Sequence, residues 1–192
     1  MKKIKIFLAS SNELNAERNG LEIEIYRKCK LWFDKGLFLH LDIWEDMPAQ
    51  MSLTGSQSEY DKYVREADLF ILLAYTKVGK YTEEEFEHAF GQFKSVKKPF
   101  IFTFFKTPPV NAHESLFNFK QKLSELGHFK SDFKDLNDLW NQLNKQLDFL
   151  EQDAFNEFKQ PEDRPLTTVP TTTNQTADKI YNIDKIDKAN FS

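Results

Sequence analysis

Glu85 is the residue whose type and setting best suit chemistry. It lies in Val78-Gly79-Lys80-Tyr81-Thr82-Glu83-Glu84-Glu85-Phe86-Glu87-His88-Ala89-Phe90-Gly91-Gln92-Phe93. This stretch follows the apolar run 68–75, which reads as a buried strand, and itself reads as a loop and a helix. Thr82 is the expected N-cap, and Thr82-x-x-Glu85 has capping-box spacing. Phe86, Ala89, Phe90 and Phe93 share one helical face, which should pack inward. Glu85 sits about a quarter turn from that stripe. A carboxylate there stays ionised, favoured by the helix dipole. It also falls beside the C-terminal end of the preceding strand, where open α/β sheets form their ligand crevices. The same spacing describes a plain helix cap, and Glu83, Glu84 and Glu87 describe a solvated acidic face. Glu84 projects most directly away from the Phe stripe, so of the four it is the least suited to face a crevice; it is the second choice for the active carboxylate only because a one-residue shift of register would put it in the place of Glu85.

The elements that must position this residue alternate along the chain. Strands are expected at 4–9, 37–44, 68–75 and 100–105, with a short edge strand at 128–133. A long helix over 13–35 carries Leu14, Leu21, Ile25, Cys29, Trp32 and Phe33 at helical spacing, and Gly36 closes it. Further helices are expected at 58–66, 112–126 and from Leu136 to near Phe158, the last marked by Leu139, Leu143, Leu147 and Leu150. Three of the strands are nearly continuous apolar runs, as in a parallel sheet covered on both faces. The expectation is an α/β, flavodoxin-like three-layer sandwich with a parallel sheet of about five strands.

Bulk composition narrows the function classes. The 192 residues include 19 Phe, 6 Tyr and 3 Trp, enough aromatic surface for a sizeable core. A net charge of −4 with scattered Lys and Arg leaves no basic footprint for nucleic acid. The single cysteine, Cys29, cannot build a disulfide framework and fits a reducing compartment. No stretch approaches the roughly 20 apolar residues of a membrane helix, and the short basic start is no signal peptide. A soluble, cytoplasmic protein is expected. The first strand ends Ala9-Ser10-Ser11, without the glycines of a phosphate loop or the acids of a response regulator. The four histidines show no paired ligand spacing, so no metal is expected.

The order and spacing of several segments carry a resemblance. Ile6-Phe7-Leu8-Ala9-Ser10-Ser11, Ile43-Trp44-Glu45-Asp46, Ala67-Asp68-Leu69-Phe70-Ile71-Leu72-Leu73 and Gly79 to Phe93 together resemble bacterial TIR domains. The likeness is nearest to the TIR-like modules of anti-phage defence effectors and spans roughly residues 3 to 150. It implies NAD+ as substrate, with no cofactor, and cleavage of the nicotinamide–ribose bond by a hydrolase or cyclase. Enzymatic members carry a glutamate in a W-x-x-x-E pattern; here Tyr81 replaces the tryptophan and Glu85 supplies the carboxylate. By the same resemblance Ser10, Ser11, Trp44, Asp46, Lys80 and Tyr81 bind substrate. Residues 45–55 correspond to the loop through which such domains assemble. The resemblance further implies self-association and a sensor domain or partner protein. Two other readings share the fold: a non-catalytic TIR adaptor and a nucleoside deoxyribosyltransferase-like enzyme.

Composition changes after Gln160. Pro161, Pro165 and Pro170 alternate with threonines, so 159–178 reads as a linker after a domain at 1–158. In 179–192, Ile180, Ile183, Ile186 and Ala189 recur every third residue. That tail is expected to be disordered or to dock on a partner.

Overall fold

A computed structural model describes residues 1–43, 62–107 and 111–152. The chain runs β1 (Lys2–Ser10), a 3-10 turn (Asn12–Leu14), α1 (Asn15–Phe33), β2 (Leu37–Asp42) and β3 (Leu69–Ala74). It continues with α2 (Lys80–Val96), β4 (Phe100–Lys106), α3 (Glu114–Glu125), β5 (Lys130–Phe133) and α4 (Leu136–Gln152). Residues 62–66 are also helical. All four strand pairings are parallel, in the order β2-β1-β3-β4-β5. This is the expected α/β, flavodoxin-like arrangement of five strands with helices on both faces.

The alternating side chains of β1 split the core. Ile4, Ile6 and Leu8 face a cluster with Leu21, Ile25 and Trp32 of α1 and Leu139, Leu143 and Leu147 of α4. Phe7 and Ala9 face the other layer, with Phe70 and Leu72 of β3, Phe86 and Ala89 of α2, and Leu116, Phe119 and Leu123 of α3. Every residue of β3 is buried, as a strand covered on both faces requires. At the N-terminal edge Asp68 ties three strands together. Its carboxylate accepts from Lys5 N at 3.0 Å and Lys98 Nζ at 3.2 Å, and its carbonyl accepts from Phe100 N at 2.9 Å. Register is thereby set from below.

Several expectations need correction. Thr82 does not cap α2. The N-cap is Gly79, extended at φ −75° and ψ 156°, and Glu83 N already donates to Gly79 O at 3.0 Å. Buried Val78 sets the start instead, its amide donating to Ser115 Oγ at 3.3 Å. Thr82 is turned inward within the first turn, so the capping-box reading falls away. Phe33, expected in the core, is 59% exposed, because α1 ends there and turns through Gly36 at φ 73°. The left-handed turn at Gly36 is the conformation glycine adopts without a steric cost. The edge strand begins at Lys130 rather than 128, and β2 ends at Asp42. The start of the helix expected at 58, the assembly loop 45–55, the end of α4 beyond Gln152, the linker 159–178 and the tail 179–192 lie outside the described residues.

Two helix glycines give opposite expectations. A Cβ on Gly20 would stand 2.3 Å from Leu136 Cδ2, where α1 meets the start of α4. Nothing lies within 4 Å of a Cβ on Gly91 in α2. Gly20→Val should therefore lose about 1–3 kcal/mol by overpacking, and Gly91→Ala should gain about 0.5–1 kcal/mol. Urea unfolding of both variants measures the pair.

Candidate functional site

The chain leaves β1 toward β2 and then returns to its other side as β3. The loops after β1 and β3 therefore diverge, and a crevice opens above the C-terminal ends of these two strands. A cleft of about 630 Å³ occupies that place. Its size is that of a typical small-molecule site, a few hundred to about 1,000 Å³. One wall is the end of β1 and the turn after it, from Phe7 through Ser10 and Ser11 to Glu13. Thr76, Lys77 and Gly79 form the opposite wall. Tyr81, Thr82 and Glu85 line it from α2.

The helix geometry sorts the run of glutamates. Tyr81 and Glu85 are one turn apart and both line the cleft. Glu83 and Glu87 are turned toward α3, where both pair with Lys122, the first at 2.9 Å. Glu84 approaches Lys80 Nζ at 3.6 Å on the solvent side. Glu85 alone among the four lines the cleft, and Phe86 beside it is fully buried with its ring 5.1 Å from Phe119, edge to face. Replacing a phenylalanine so buried by alanine costs roughly 3–5 kcal/mol, so the backbone at Glu85 is firmly held. Lys80, expected to bind substrate, is not part of the cleft lining; its side chain is 83% exposed. Trp44 and Asp46 lie outside the described residues. Tyr81 stands at the rim, 70% exposed.

Ser10 and Ser11 line the cleft, but their hydroxyls are engaged. Arg18, fully buried, donates from Nη1 to Ser10 Oγ at 2.5 Å and approaches the Ser11 carbonyl at 3.4 Å. Ser11 Oγ donates to Glu13 Oε1 at 3.0 Å. Each hydroxyl keeps capacity for one more partner: Ser10 its proton, Ser11 its lone pairs. Beside the cleft, buried Glu17 pairs with Lys106 Nζ of β4 at 2.5 Å, and that ammonium lies 5.2 Å from the Tyr75 ring centre.

Sequence reasoning passed over Glu13 and Thr76. Glu13 Oε1 accepts from Thr76 N at 2.9 Å, and Oε2 accepts from Thr76 Oγ1 at 2.5 Å. Burial pushes the Glu13 carboxyl up, but the donors from Thr76, Ser11 and the Lys77 amide outweigh it and hold the group below the ordinary carboxylate value. The signal in the sequence was a polar residue shortly after each of two apolar strands that the topology makes neighbours, Glu13 three residues beyond β1 and Thr76 two beyond β3.

A second hollow of about 280 Å³ lies beside β4, lined by Phe90, Phe93, Phe100, Phe102 and Phe149. His128 is its one titratable lining group, kept neutral because burial pushes its pKa down. It lacks the convergent polar groups of the cleft. Among the described residues no cluster of His, Cys, Asp and Glu is placed to hold a metal ion. None of their helices is long and apolar enough to cross a membrane. No protein-family profile matches the chain, and no curated protein matches it.

Acid should weaken the bridge made by Glu13. Its folded pKa lies below the ordinary 4.5, so its stabilisation is complete above pH 4.5 and is lost as pH falls through the lower folded value. The melting temperature of wild type should exceed that of Glu13→Gln above pH 4.5, and the gap should close toward lower pH. A melting series across that range in both proteins is the check.

Proposed function

We propose that this protein is a NAD+ nucleosidase that cleaves the nicotinamide–ribose bond, in keeping with its resemblance to bacterial TIR domains. The observation that carries this reading is the pairing of Tyr81 and Glu85 in one cleft at the switch point, with the neighbouring glutamates turned elsewhere.

The chemistry needs little more than such a site supplies. Nicotinamide in NAD+ is a cationic leaving group; the C–N bond breaks with its electron pair going to nitrogen, and neutral nicotinamide departs. An oxocarbenium-like ribose remains, as in glycoside hydrolysis. The Glu85 carboxylate stabilises that positive charge, and a carboxylate fixed in advance is commonly the largest catalytic term. The half-buried setting strengthens it relative to bulk water. Tyr81 offers a ring face at the rim for a base to stack on. Ser10 and Ser11 have the residual donor and acceptor capacity to meet ribose hydroxyls. Water attack then yields ADP-ribose and a proton; attack by an adenine nitrogen yields a cyclic isomer.

Activity should depend on assembly, with a sensor domain or partner protein as the trigger. Incubation with NAD+ under crowding should release nicotinamide. Glu85→Ala should lower the rate about 10²–10³-fold, and Glu84→Ala should stay near wild type. Full activity in Glu85→Ala would reject this assignment. Visible oligomers without nicotinamide release would favour the adaptor reading, and base release from deoxynucleosides with NAD+ intact would favour the transferase one.

A further inference from the structure

We infer that Glu13 is a positioning residue of the cleft: it fixes the wall formed by residues 76–79 against the end of β1. The inference deepens the NAD+ reading and rests on it for the kinetic part of its test.

Glu13 spans the gap that the topology opens. It belongs to the turn after β1, yet both of its oxygens accept from Thr76, 63 residues away, one from the amide and one from the hydroxyl. Oε1 also takes the Ser11 hydroxyl, so the same carboxylate joins both walls. Thr76 is held from its other side as well, its carbonyl accepting from His113 N at 2.7 Å. Two residues on, Val78 N donates to Ser115 Oγ, which lies 3.0 Å from His113 Nδ1. Residues 76 and 78 are thus tied down on either side of Lys77, and Gly79 then starts the helix that carries Tyr81 and Glu85. Removing the carboxylate takes away the hold on Thr76 from the β1 side, leaving its carbonyl on His113 N, and lets the wall move relative to Ser10 and Ser11.

This role differs from direct action on the substrate, and the difference is testable. A glutamine at 13 can keep the geometry: its Oε1 still accepts from Thr76 N and Ser11 Oγ, and its Nε2 donates to a rotated Thr76 hydroxyl. What it lacks is the charge and the second acceptor oxygen. A positioning residue therefore tolerates glutamine and not alanine. A group acting through its charge on the bound molecule tolerates neither.

The test uses the full chain as wild type, Glu13→Ala and Glu13→Gln. Amide hydrogen exchange at Thr76 and Val78 is followed together with steady-state NAD+ cleavage. In Glu13→Ala the Thr76 amide should exchange about tenfold faster or more, and KM for NAD+ should rise about tenfold with kcat changed less. In Glu13→Gln both should stay within about threefold of wild type. Unchanged Thr76 exchange in Glu13→Ala overturns the inference, as does a Glu13→Gln enzyme as impaired as Glu13→Ala. If wild type leaves NAD+ intact, the function proposed above fails, while Thr76 exchange still judges the clamp. Should Glu13→Ala not fold, Thr76→Val removes the hydroxyl donor alone; it should shift exchange at Val78 and KM in the same direction, and no shift in either overturns the inference.

Discussion

Strands that all run the same way deliver their C-terminal ends to one edge of the sheet. Every βα loop in this molecule therefore emerges on that edge, and the helices between strands return the chain to the other. Among the described residues only one neighbouring pair of strands sends its loops apart, because the chain passes from β2 across β1 to β3. The cleft is a consequence of that reversal, and its position between the ends of β1 and β3 follows from strand order before any side chain is considered. The opposite edge has the converse character. There Asp68 joins β1, β3 and β4 through hydrogen bonds, which fixes how far each strand climbs toward the cleft.

A gap between two loops is a poor place to leave charge, since the dielectric falls and partners are few. This structure lines the gap with polar groups hydrogen-bonded to one another. Arg18 is wholly shielded from solvent and reaches Ser10; Ser11 reaches Glu13; Glu13 reaches Thr76. Glu17 and Lys106 perform the same service toward β4. The acidic run on α2 is organised differently, by helix angle alone: positions 83 and 87 meet Lys122, position 84 meets Lys80, and position 85 lies on the cleft side. One helix thereby contributes both a surface ion-pair patch and a cleft-lining carboxylate.

Most of the scaffold was legible because it depends on local pattern. The uninterrupted apolar run at β3 gave a doubly covered strand, and Gly36 gave a helix end. The face shared by Phe86 and Ala89 gave the orientation of α2, which in turn placed Tyr81 and Glu85 together. Local pattern failed where a distant partner decided the outcome. Thr82 has the chemistry of a cap, yet Val78 docks against Ser115 and the helix begins one turn earlier. Phe33 has the spacing of a core residue, yet the helix runs out beneath it. Glu13 looked like the first residue of a long helix, and its partner at Thr76 is invisible to any periodicity. Lys80 is adjacent to the cleft in sequence and turned from it in space.

The place of β1 between β2 and β3 has a bearing on how the molecule is made. It precedes the other four strands in the chain and, like β3 and β4, needs two neighbours. β2 follows directly after α1, so one flank is closed early. The other flank waits for β3, roughly seconds later at ordinary rates of translation. During that interval the nascent chain presents a bare apolar strand edge, the kind of surface on which foreign strands add. Vectorial synthesis thus places a demand for chaperone protection on the part of the sheet that later frames the cleft.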